Sequence, residues 1–235
     1  MMRIDKLLGH SGYGTRREIK VLCRHGDVTV NGAACTDSGV KVNPAADTVA
    51  VRGEVVQYRE FYYLMLNKPA GVVTATEDKR SETVLDLLPP LFRAARLFPV
   101  GRLDKDTTGL LLLTNDGAWA HNIITPKNSV TKVYVAETEG DVPADLNERF
   151  AAGIILADGL QCLPADIRQI RENTFEITVC EGKFHQVKRM CAAVDLHVTA
   201  LHRRSVGALA LDESLAPGAY RMLADKEVIL PLLGQ

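Results

Sequence analysis

The densest group of reactive side chains is Gly101-Arg102-Leu103-Asp104-Lys105-Asp106-Thr107-Thr108-Gly109, which runs into Leu110-Leu111-Leu112-Leu113-Thr114. A polar loop feeding a buried strand can hold a carboxylate against a rigid support. Acid, base or nucleophilic work by an aspartate needs such support. The same residues have a plainer use, because Asp104 or Asp106 can close an Asx-turn while the threonines satisfy loop backbone. Two carboxylates here could also serve a metal-dependent hydrolase or phosphotransferase. No metal motif supports that: there is no His-Glu-x-x-His, P-loop or EF-hand loop. Gly9, Gly12 and Gly14 neither follow the dinucleotide order nor a strand, and none of the six histidines pairs with cysteine at zinc-finger spacing. No cofactor and no metal are expected.

These residues sit in a chain of 235 residues with 46% apolar and 24% charged side chains, an ordinary globular composition with enough chain for one or two domains. The net charge of −1 excludes a global polycation. Lysine and arginine nevertheless exceed acids by three over residues 1–52 and again over 181–204. Two basic islands in an acidic background suit local binding of a polyanion. No apolar run reaches membrane-spanning length, and Met1-Met2-Arg3-Ile4-Asp5-Lys6 has no signal-peptide core. Five scattered cysteines, with no Cys-x-x-Cys, read as reduced thiols of a cytoplasmic protein. Without a coiled-coil or repeat signal, a monomer is the expectation.

The elements that must position the loop fall into a small module and a larger one. Residues 1–52 read as helix–helix–hairpin. Ile4, Leu7 and Leu8 lie at helical spacing. Thr15 and Glu18 form a capping box for a helix from Arg16 to about His25, and Asn31-Gly32 signals a type I′ hairpin. Ile19, Leu22 and Cys23 make the apolar stripe of that helix, with Arg16, Arg17, Lys20 and Arg24 largely off it. Residues 53–60 read as a linker, and 61–235 as the second domain. There, Phe61–Leu66 and Leu110–Thr114 read as buried strands, Glu82–Leu88 as a short helix ended by Pro89-Pro90, and Pro143–Ala152 as a helix closed by Gly153. Lys132–Glu137 alternates, with Tyr134 opposite Val133 and Val135 and so off the main apolar face. Phe184, Val187, Cys191 and Val194 mark a helical stripe. Strands and helices mix without βαβ alternation, which favours α+β over a doubly wound sheet.

Two resemblances join these pieces. Thr15-Arg16-Arg17-Glu18 followed by Gly26-Asp27-Val28-Thr29-Val30-Asn31-Gly32 resembles an S4 RNA-binding domain, which implies binding of folded RNA by its shape. Gly101-Arg102-Leu103-Asp104, Thr107-x-Gly109-Leu110-Leu111 and Asn115-Asp116-Gly117 resemble the signature loop of the pseudouridine synthases. The similarity continues in family order through Leu66–Gly71, Lys132-Val133-Tyr134, Glu181–Met190 and Leu201-His202-Arg203. It implies a mixed, mostly antiparallel sheet flanked by helices, an RNA-binding cleft, and isomerisation of uridine to pseudouridine without a cofactor. The wording of the motifs is most similar to the branch acting on small-subunit (16S) ribosomal RNA. The alternatives are a large-subunit enzyme of the same family and a non-catalytic ribosome-assembly factor.

The resemblance also implies roles. Asp104 acts at the ribose, by attack on C1′ or by removal of the C2′ proton, and a cationic partner keeps it ionised. That partner is Lys188, with Arg189 competing; on a helix the two point about 100° apart. Tyr134 stacks on the target base, Leu201 lines the uracil pocket, and Arg203 joins Arg189 among substrate-binding residues. Arg102 fills the space left by an extruded base. Arg16, Arg17, Lys20 and Arg24 bind RNA through the S4-like head. His185 and His202 are expected to be RNA-contact or core residues, with no carboxylate partner near them in sequence.

Overall fold

The computed structural model describes residues 1–233 and divides the chain into two packing units, Met1–Tyr62 with Leu88–Leu97, and Tyr63–Leu87 with the remainder from Phe98.

The first unit begins with helices Ile4–His10 and Arg16–Arg24. Both halves of the Thr15–Glu18 capping box are made. A small antiparallel sheet follows, ordered Ala33–Ala34, Val28–Val30, Val49–Val51, Glu54–Val55. Asn31 and Gly32 both have positive φ (51° and 82°), as a type I′ turn requires. Ile4, Leu7, Leu8, Ile19 and Cys23 meet Val28, Val42, Val49 and Val51 in one core. The segment read as a linker belongs to this unit. Glu54–Val55 pairs with Val49–Val51, and Val56 and Tyr58 pack on the core. Its apolar residues are too few to show periodicity, so only the pairing reveals it. Leu88–Leu97, expected in the second domain, also packs here, with Tyr62 edge-on to Phe92. No helix forms at Glu82–Leu88. Thr83 spends its hydroxyl and its N–H on Asp86, and the helix is Pro90–Ala94 instead, with proline at its first turn rather than after its last.

The second unit is built on a nine-stranded sheet. Its main path runs Asp166–Arg171, Thr174–Val179, Lys132–Glu139, His197–Val206, Thr108–Thr114, Tyr63–Lys68, Tyr220–Met222. Leu209–Ala210 and Phe98–Pro99 pair at its side. All of these pairings are antiparallel except one: His197–Val206 runs parallel to Thr108–Thr114, with Arg203 opposite Gly109. The fold is therefore α+β with a mixed, mostly antiparallel sheet. Gly109 has φ +99°, and a Cβ there would stand 2.3 Å from the Arg203 carbonyl oxygen, so only glycine permits this close parallel approach. Helices Leu146–Ala152 and Gln186–Ala192 cover one part of the sheet, burying Phe150, Phe175, Ile177, Met190 and Cys191 completely or nearly so. Gly117–Ile124, capped by Asp116, covers another, with Trp119 and Ile123 buried against Leu110 and Leu112.

Two expectations about faces are overturned. Tyr134 lies on the side of its strand that carries buried Ala136 and packs on the core, while Val133 and Val135 are only half-buried. Helices cover the tyrosine side, which an alternating strand does not announce. Phe184 lies before the Gln186–Ala192 helix rather than on its stripe, and is 73% exposed. Val187, Cys191 and Val194 are buried as expected.

Candidate active site

The loop carrying Asp104 is pinned on both sides of that residue. Before it, Thr74 donates its hydroxyl to the Leu103 carbonyl at 2.7 Å and accepts the Leu103 N–H at 3.2 Å. After it, the ammonium of Lys68 donates to the carbonyls of Lys105 and Thr107 at 3.2 and 2.9 Å, and to that of Pro69 at 3.0 Å. Gly71 N–H also reaches the Lys105 carbonyl. Lys68 is completely buried at the end of its strand. An ammonium has three N–H donors, and three carbonyls take them, so the desolvated charge is fully hydrogen-bonded. Burial still pulls the Lys68 pKa from 10.5 down to about 8, against the opposing pull of Asp106 and Asp104. Asp104 is thus the residue held still between two anchored peptides.

Its carboxylate, with 24% of the side chain exposed, meets two cationic or cationisable groups from one segment. Lys188 Nζ lies 3.7 Å from Oδ2, and His185 Nε2 lies 3.4 Å from Oδ1. Lys188 also lies 2.5 Å from Asp106 Oδ1, and that hydrogen bond holds the Asp106 carboxyl below the usual carboxylate range. The competition between Lys188 and Arg189 is resolved by direction. Arg189 turns to Asp158, at 2.5 Å, and to the Phe184 carbonyl, at 3.3 Å, so it does not reach Asp104. His185 has no carboxylate near it in sequence, and the one it meets, Asp104, comes from a distant loop. His202 bonds through Nδ1 to the Thr108 hydroxyl at 2.9 Å, and burial lowers its pKa.

A cleft of about 620 Å³ opens over Asp104, lined in part by Arg102, Tyr134, Leu201 and Arg203. That size is within the range of small-ligand sites. Strand register brings the last three together: Tyr134 pairs with Arg203 and Ala136 with Leu201. Arg203 is 4% exposed and donates Nε to the Leu110 carbonyl at 2.8 Å, leaving Nη2 without a partner among the described residues. The Thr107 hydroxyl is likewise buried, with no hydrogen-bond partner among the described residues. Lys132 also lines the cleft; burial and the nearby Arg203 charge lower its pKa. Among the described residues no group of three or more His, Cys, Asp or Glu could hold a metal ion.

Sequence reasoning gives no place at the site to Lys68, Thr74 or Lys132, and none beside Asp104 to His185. The one visible signal is a lysine just beyond the apolar run Tyr62–Leu66, a place where lysine is out of character. In the first unit, Arg16, Arg17, Lys20 and Arg24 are all exposed on one helix whose Ile19 and Cys23 are buried.

An anchored aspartate beside a cation lines a cleft in a mixed, mostly antiparallel sheet. Residues 62–193 match the model of the RNA pseudouridylate synthase family, and residues 2–49 match the S4 domain. The chain is 44% identical over 234 residues to an RNA pseudouridine synthase, YtzG, of Bacillus subtilis strain 168, covering 97% of this chain and 98% of that one. It is 40% identical to the ribosomal small subunit pseudouridine synthase A of Escherichia coli K12 over 232 residues, with the same coverage. A crystal structure of a pseudouridylate synthase superimposes with a TM-score of 0.69 at 34% identity, covering 98% of this chain and all of that one. The chain belongs to the RNA pseudouridylate synthase family and carries an S4 domain. It is a pseudouridine synthase, an isomerase.

Proposed function

We propose that this enzyme converts one uridine of small-subunit (16S) ribosomal RNA to pseudouridine, in the cytoplasm. The observation that carries the target is near-full-length similarity to small-subunit enzymes, at 39–40% identity, with an S4 head on the same chain. No helix among the described residues is long and apolar enough to cross a membrane. The exposed Arg16, Arg17, Lys20 and Arg24 hold RNA by its phosphates, which supplies affinity rather than sequence choice.

The target uridine leaves its stack and enters the cleft, and Arg102 at the exposed rim fills the vacated place. Asp104 acts at the ribose, at C1′ as a nucleophile or at the C2′ proton as a base. Either route breaks the N1–C1′ bond. The uracil turns and C5 bonds to C1′ as the Asp104–C1′ bond breaks on the first route, or as Asp104 returns the C2′ proton on the second; C5 then loses its proton and N1 gains one, so nothing leaves and no redox change occurs. Lys188 pairs with the Asp104 carboxylate at 3.7 Å. Tyr134 stacks on the base and receives the C5 proton or passes it on. Leu201 packs on the uracil. Arg203 and Lys132, both lining the cleft, supply positive charge toward the uracil oxygens, where negative charge gathers when the glycosidic bond breaks. Arg189, turned to Asp158, serves RNA binding rather than the carboxylate.

Position-resolved pseudouridine mapping in cells lacking the protein tests this reading. The expected result is one pseudouridine missing from small-subunit RNA. A loss from large-subunit RNA overturns the target, and no loss from either overturns the reading.

A further inference from the structure

Phe184 presents a phenyl ring that is 73% exposed at the wall of the cleft. Its ring lies on the His185 imidazole, with centroids 3.8 Å apart and planes inclined by 17°. The segment is rigid for reasons unrelated to that ring. Lys183 N–H donates to Gln186 Oε1 at 2.9 Å, the Phe184 carbonyl accepts from Arg189, and Lys183 pairs with buried Glu181. His185 itself sits in the left-handed region, φ +48° and ψ +35°, a costly conformation for a residue with a side chain. The chain thus spends backbone strain to hold an aromatic pair at the cleft, with one face of Phe184 covered by His185.

Two distances relate the aromatic pair to Asp104. Asp104 Oδ1 is 3.4 Å from His185 Nε2, and the His185 ring is 3.8 Å from that of Phe184. The His185 ring therefore links Phe184 to Asp104, the residue that the proposed function sets at the ribose. Lys183, Lys188 and Arg189 lie within five residues of Phe184 in sequence, each paired with a carboxylate, and basic residues beside an exposed aromatic ring are how proteins hold unpaired bases.

We propose that Phe184, backed by His185, is the stacking platform for the nucleobase adjacent to the target uridine. This rests on the uridine-isomerising reading of the cleft. Phe184 is a positioning residue: it acts by setting the register of the RNA.

The test uses the full-length enzyme and an RNA fragment spanning the mapped uridine, with 2-aminopurine at each flanking position in turn. Phe184→Ala and Phe184→Leu are expected to raise KM about tenfold while kcat moves less than about threefold, and Phe184→Tyr and Phe184→Trp to stay within about twofold of wild type. Binding should quench 2-aminopurine at one flanking position in the wild type and not in Phe184→Ala. The ring is exposed, so the variants fold, as circular dichroism will verify. An active wild type with an unchanged Phe184→Ala enzyme, or Phe184→Leu as good as the aromatic variants, overturns the platform alone. A wild type that forms no pseudouridine in any ribosomal RNA overturns the reading beneath it.

Discussion

Lys188 Nζ stands 3.7 Å from Asp104 Oδ2, reaching from the Gln186–Ala192 helix to the loop ahead of the Thr108–Thr114 strand. The same ammonium lies 2.5 Å from Asp106 Oδ1, whose side chain is 73% exposed. In the free enzyme the cation leans on the solvent-facing carboxylate and keeps only a looser contact with the half-buried one.

That arrangement predicts different outcomes for three neighbouring residues. Lys188→Met should lower kcat about 10- to 100-fold, since Asp104 loses its cation. Asp106→Asn should keep activity within about threefold, because Lys188 remains free to turn to Asp104. Arg189→Met should leave kcat within about threefold, as its guanidinium is held by Asp158. Single-turnover kinetics on ribosomal RNA check all three. A larger loss in Arg189→Met than in Lys188→Met would reverse the assignment.

Asp104→Asn is expected to reduce pseudouridine formation by at least about 10³-fold, with RNA affinity within about threefold of wild type. Asparagine has the same shape and can still accept from Lys188, so the anchored loop should survive. Filter binding alongside product mapping separates chemistry from affinity. Full activity in this variant would remove Asp104 from the reaction.

Lys68 predicts a stability trend with pH. The unfolded side chain titrates near 10.5 and the folded one near 8. Between these values the unfolded chain holds a proton that the folded chain has released, so this group makes the protein more stable as pH rises. Lys68→Met lacks that dependence and leaves three carbonyls without their donor. The variant should be less stable at every pH, and the gap should widen by roughly 2–3 kcal/mol from about pH 7 to about pH 10. Urea unfolding at the two pH values checks it. A gap that narrows with pH would contradict the burial of a charged Lys68.

Replacing Arg16, Arg17, Lys20 and Arg24 by serine should weaken RNA binding and flatten its salt dependence. The log–log slope should fall by roughly 0.7–0.9 for each phosphate that the helix no longer neutralises. Thermal stability should hardly change, because the stripe that packs the helix is Ile19 and Cys23. Binding titrations at several salt concentrations decide it, and an unchanged slope would place the RNA elsewhere.

Local chemistry was legible in the residues themselves. The Thr15–Glu18 capping box, the Asn31-Gly32 turn and the Phe175–Val179 alternation each rest on neighbours in the chain, and each formed as read. The Asp104 loop stood out for the same reason: its residue types and spacing are contiguous. Pairings across long separations were decided only in three dimensions. Residue 54 joins the head through a strand pairing, Leu88–Leu97 packs with residues 1–62, and the covered face of the Tyr134 strand depends on where two distant helices settle. Lys188 and Arg189 are adjacent and chemically similar, so periodicity could not rank them. The winding of a two-turn helix sent one to Asp104 and the other to Asp158. Sequence thus determined which groups exist and what each can do. The tertiary structure decided which of them meet, because charge pairing and burial act through space and fall off within a few ångströms.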